Sequence, residues 1–128
     1  MVNLKSDVES NKTQLKANLV EIERKFNTTD KILPLLGTNA QNKMSIVSDI
    51  FSISTLTSFE SNDITYQTLI NSGDLKLIND LALKTAIEEH YSQYKIMLKD
   101  YERQENIHKE YLGGYFIHNV DFDAFKKR

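Results

Sequence analysis

At 128 residues the chain is about one domain long, enough to bury a core without metals or disulfides. The absence of cysteine excludes a disulfide framework, a thiolate metal site and a cysteine nucleophile. A net charge of -2, with acidic and basic residues interspersed instead of blocked, argues against a general nucleic-acid binder, which concentrates Lys and Arg on one face.

One proline and four glycines favour an all-α fold over a turn-rich β fold. No run reaches the roughly 18 apolar residues that span a bilayer, and MVNLKSDVES lacks the apolar core of a signal peptide. Any membrane or export signal is therefore expected outside these residues.

Leu4, Val8, Leu15, Leu19, Ile22 and Phe26 recur at three, four and seven, predicting an amphipathic first helix with one buried stripe. Glu21 and Lys25 form a favourably oriented i,i+4 pair. The pattern continues through Leu36 to Gly37, but Pro34 cannot donate to residue 30 and crowds its carbonyl, so the helix over residues 4–36 kinks there or a new one starts at Thr29 or Asp30. The kink is the preferred reading.

A second helix is expected over residues 40–54, with Met44, Val47, Ile50 and Phe51 at helical spacing. Alternation of Phe51, Ile53 and Thr55 with polar residues keeps a strand reading of residues 50–59 open. Residues 57–63 read as a polar loop with Phe59 tucked into the core, capped by Asn62 or Asp63 into a third helix over 63–72, whose Tyr66, Leu69 and Ile70 share one side. Gly73 sits where a helix ends in a left-handed residue; Leu75, Leu77 and Ile78 plug the bundle, and Asn79 or Asp80 caps the next helix.

That fourth helix, residues 80–112, has the clearest period: Ile87, Tyr91, Tyr94, Leu98, Tyr101, His108, Leu112 and Tyr115 fall on alternating steps of three and four. Gly113-Gly114 is read as its end. The tail over 115–128 is too apolar to hang in water, so Phe116, Ile117, Phe122 and Phe125 pack on the bundle or on a partner. The whole is expected as an antiparallel bundle of about four helices, two long and two short, in one domain. Tyr91, Tyr94, Tyr101, Phe116, Phe122 and Phe125 make up the candidate interaction surface, and Pro34, Gly73, Asn79 and Asp80 the candidate structural positions.

Catalytic and metal motifs are thin. Glu105-Asn106-Ile107-His108 is a single Glu-x-x-His, where di-iron bundles use two with further glutamates. His118, Asp121 and Asp123 do not match a calcium loop, and His90 lacks the second histidine of a zinc protease helix. No serine lies in Gly-x-Ser-x-Gly and no glycine loop cradles phosphate. A helix-turn-helix at Gly73 is opposed by the apolar and acidic LALKTAIEEH that follows it. No cofactor, metal or catalytic residue is assigned, and nucleic-acid binding is not expected.

The run Thr65-Tyr66-Gln67-Thr68-Leu69-Ile70-Asn71-Ser72-Gly73-Asp74-Leu75-Lys76-Leu77-Ile78, followed by His90-Tyr91-Ser92-Gln93-Tyr94, resembles an uncharacterised family of small single-pass membrane-anchored proteins from Bacteroidota. Asn3 to Leu15 is similar to the helix that directly follows the membrane span in that family. The resemblance implies a soluble domain tethered by a transmembrane helix outside this sequence and, by the positive-inside rule applied to the family's basic N-terminus, a periplasmic or other extracytoplasmic location. It assigns no activity and no site residues. A non-catalytic interaction or sensory module is therefore the leading expectation, a scaffolding oligomer the second, and a metal or enzymatic bundle on Glu105 and His108 a distant third; the partner is another protein or a second copy.

Overall fold

The computed structural model describes residues 2–121 and 123. All regular structure among them is helical. Helix α1 (Val2–Ile32) runs without a glycine or proline, then tightens into a 3-10 turn over Leu33–Leu35. Pro34 thus ends the α-helix instead of bending it, because it has no N–H to bond residue 30 and its ring crowds that carbonyl; the chain turns extended at Leu36 (φ −66°, ψ 132°). The chain reverses at Gly37, which has φ 80°.

Helix α2 (Lys43–Ser54) starts on Asn42, whose side chain accepts from the Ser45 N–H at 3.3 Å. Residues 51–54 belong to this helix; only from Thr55 (φ −68°, ψ 140°) does the chain become extended. Helix α3 (Ile64–Ser72) ends on Gly73 at φ 81°, whose N–H bonds the Ile70 carbonyl at 3.1 Å, the left-handed stop expected of that glycine. A 3-10 turn, Asp74–Leu77, follows. With three residues per turn it aligns Leu75 and Ile78 toward the core and turns Leu77 away, so Leu77 is 73% exposed and plugs nothing.

Helix α4 (Leu81–Ile107) is capped by Asp80, whose carboxylate accepts from the Leu83 N–H at 3.0 Å; Asn79 flanks the cap without supplying it. The helix does not end at Gly113-Gly114. It passes through a π turn, His108–Gly113, into α5 (Gly114–Asn119), with both glycines in right-handed helical geometry. A π turn inserts about one residue into the helical period. The seam position counted as Tyr115 is taken instead by Phe116, whose ring lies 4.7 Å from Phe51 of α2, while Tyr115 is 62% exposed.

The elements stack as three rods. α1 runs up; α2, residues 55–63 and α3 together run down beside it; α4 and α5 run up again, which makes α1 and α4 parallel. The core sits at one end, where Leu4, Phe59, Tyr66, Leu75, Ile87, Tyr91 and Tyr94 pack together with Leu15, Leu69 and Ile78 against them. The apolar stripe of α1 is buried at that end and again at Ile32, the last residue of the helix, but not along its middle. Leu19, Ile22 and Phe26, expected in the core, are exposed.

Candidate functional site

The middle rod is unusual in its central part, where residues 55–63 form an extended strap lying along α1. The strap is held by α1 side chains that bond its backbone. Asn11 donates to the Asn62 carbonyl at 3.0 Å and accepts from the Asn62 N–H at 2.6 Å. Gln14 does the same to Glu60, at 3.0 and 2.7 Å. Asn18 donates to the Ser58 carbonyl at 2.8 Å, Lys25 donates to the Thr55 carbonyl and the Thr57 hydroxyl, and Asp7 accepts from the Thr65 N–H at 3.2 Å.

Two periodicities mesh here. Side chains at 7, 11, 14, 18 and 25 lie on one face of a helix, whereas backbone groups at 58, 60 and 62 share one edge of an extended chain. From Asp7 to Lys25 the helix rises about 27 Å, and the strap together with the first turn of α3 covers that length from Thr55 to Thr65, roughly 2.7 Å per residue. The primary amides act as the neighbouring strand that the strap lacks. Lys25 is drawn to this edge, which leaves Glu21 to pair with Arg24 at 2.7 Å in place of the expected Glu21–Lys25 pair. The Arg24 hydrogen bond lowers the Glu21 pKa.

An extended chain is thinner than a helix, and this thin part of the middle rod leaves the seam between α1 and α4 unfilled. Three cavities follow it. One of 330 Å³ is bordered by Val8, Leu15, Leu19, His90 and Tyr94; one of 320 Å³ by Leu15, Leu19, Ile22, Phe59, Met97 and Tyr101; and one of 330 Å³ by Ile22, Ile53, Gln104, Ile107, His108 and Leu112. Shared residues make them one groove. A separate cavity of 440 Å³ lies under the α1–α2 turn, among Lys31, Thr38, Gln41, Asn42 and Asp49 as well as apolar residues.

The expected aromatic surface divides. Tyr91 and Tyr94 are core residues, 3% and 5% exposed: Tyr91 stacks on Tyr66 at 4.2 Å, and Tyr94 lies 5.0 Å from Phe59 and shares a 2.7 Å hydrogen bond with His90. Their rings fill the space that the narrow strap leaves at this end, so they present no face to a partner. Burial raises all three phenol pKa values, most for Tyr91, which burial and the nearby Asp7 charge push up to about 12. Tyr101 lines the groove, Phe116 is half-buried on α2, and Phe122 and Phe125 lie outside the described residues.

His108 also lines the groove, and Glu105 pairs with Lys109 at 2.9 Å. Among the described residues no group of three or more His, Asp or Glu side chains could hold a metal ion, and no helix is long and apolar enough to cross a membrane. Sequence reading missed the groove and the amide ladder alike. The 4-3-4 spacing of Asp7, Asn11, Gln14 and Asn18 was a visible signal, but polar side chains on a helix read first as a solvated face. No protein-family model matches the chain, and neither a curated protein nor a solved structure shows a significant match to it.

Proposed function

We propose that the chain is a non-catalytic protein-interaction module whose working surface is the α1–α4 groove. The observation that carries this reading is the continuity of the groove: three adjoining cavities walled by Leu15, Leu19, Ile22, Met97, Ile107 and Leu112. An elongated apolar trough accepts the apolar face of a helix. A small-molecule sensor is less well supported, since Tyr91 is in the core, Tyr94 is 5% exposed at the groove's edge, and Tyr101 is the one tyrosine of the expected surface that lines its middle. Following the resemblance to single-pass Bacteroidota proteins, we place the module outside the cytoplasm, tethered by a span beyond this sequence.

Site-specific photocrosslinking in the full-length anchored protein tests the surface. A photoreactive residue at Met97 is expected to capture a polypeptide, and one at exposed Glu89 is not; equal capture from both would refute the groove as the working surface. These 128 residues contain no cysteine, so Lys76→Cys, with any cysteine outside them replaced, supplies a single label for topology. Labelling of intact cells by an impermeant maleimide is expected, and labelling only after lysis overturns the extracytoplasmic placement.

A further inference from the structure

We infer that the groove is closed by a second copy of this chain, the two α1–α4 faces packing into one another about a two-fold axis. The inference rests on the reading of the groove as an interaction surface and names its occupant. The first support is area. Leu19, Ile22, Phe26, Met97, Ile107 and Leu112 along the two walls are between 37% and 66% exposed. At about 200 Å² for a fully exposed large apolar residue they offer roughly 600 Å² per copy, about 1,200 Å² for a pair, which reaches the size of a specific interface.

The second support is self-complementarity. Leu15, Leu19, Ile22 and Phe26 succeed one another on α1 at steps of four, three and four, and Met97, Tyr101 and Gln104 of α4 with His108 at the start of the π turn do the same. Each stripe is about 17 Å long. Whatever fills the trough must bring an apolar helical stripe of that length, and the chain carries one on α1. Two parallel helices from each copy then form a four-helix cross-section over the length where the strap leaves each copy with two full rods. A net charge of -2 puts little repulsion in the way.

Sedimentation equilibrium of the chain over micromolar concentrations is expected to give twice 14.8 kDa, with a melting temperature that rises with concentration. Leu19→Glu is expected to halve the mass and abolish the concentration dependence while keeping the helical circular dichroism, and Leu77→Glu, the same residue type and more exposed but outside the groove, to leave the dimer intact. Should Leu19→Glu lose its helical signal, Met97→Cys with a short bis-maleimide gives a second readout, a covalent dimer on a denaturing gel. A wild-type monomer, a dimer indifferent to Leu19→Glu, a dimer equally broken by Leu77→Glu, or no covalent dimer each overturns the inference. A monomer whose position 97 still crosslinks to a different polypeptide in membranes would sink the second-copy inference and leave the interaction reading standing. Failure of both would sink both.

Discussion

Tyr91 shows how one side chain sets a pH limit on the fold. Its hydroxyl is buried and has no hydrogen-bond partner among the described residues, although its ring is stacked on Tyr66. An unfolded chain gives up this proton near the ordinary value of 10.0, whereas the folded chain keeps it up to about 12. The stability tied to the neutral phenol is complete below about pH 10 and is lost as pH rises toward about 12. Melting curves across that window should fall steeply for the wild type and less steeply for Tyr91→Phe, with Tyr66 and Tyr94 leaving a residual slope. At neutral pH the same variant removes an unpaired buried hydroxyl, and its melting temperature should equal or exceed that of the wild type. Gly73 sets a different kind of limit. A Cβ there would meet nothing within 4 Å, so the whole cost of Gly73→Ala is the left-handed conformation at φ 81°, about 1–2 kcal/mol by denaturant titration. That glycine was legible from sequence because an apolar run stopped on it; the orphan hydroxyl was not, since periodicity says which ring is inside and nothing about what its oxygen meets.

Among the elements, the strap carries the most information per residue. Asn11 is fully buried and satisfies both backbone groups of the half-buried Asn62, so Asn11→Ala strands an N–H and a carbonyl beside the core and should cost about 2–4 kcal/mol. Asn18 makes one exposed bond to Ser58, and Asn18→Ala should cost about 1 kcal/mol or less. Paired denaturation of the two variants checks the contrast; similar losses would mean that the ladder acts through helix propensity and not through the strap. The helix ends at Gly73 and Asp80 were readable, because those residues act locally, whereas the second helix was expected from residue 40 and starts instead on the Asn42 cap. Gly113-Gly114 misled for the complementary reason. Glycine permits a helix to end but does not compel it, and here the contact of Phe116 with Phe51 holds the helix through the π turn.

For the whole molecule, the all-α bundle followed from the three-to-four spacing of apolar residues along α1 and α4. Spacing alone could not show that half of the α1 stripe stays outside. Leu19 is 57% exposed although it continues the pattern of Leu4 and Val8, because burial there depends on the thickness of the element laid between α1 and α4. A strap replaces a helix over that length, and a bundle of three full rods at one end becomes two rods and a ribbon in the middle. The groove is thus a consequence of tertiary geometry, invisible to a local reading of either wall. Its apolar lining was visible all along, but as core.

The strap is gripped through its main chain. Side chains at exposed strap positions such as Ser58 and Glu60 can therefore drift with little effect on register, while Asn11 and Gln14 are tied to their amide chemistry. Selection on this fold is therefore expected to fall on a polar stripe of α1 more than on the segment that the stripe holds. Distant relatives would then share few recognisable residues across the strap yet keep an Asn-x-x-Gln-x-x-x-Asn signature near the start of their first helix. That signature, short and hydrophilic, is what a search by hydrophobic pattern passes over.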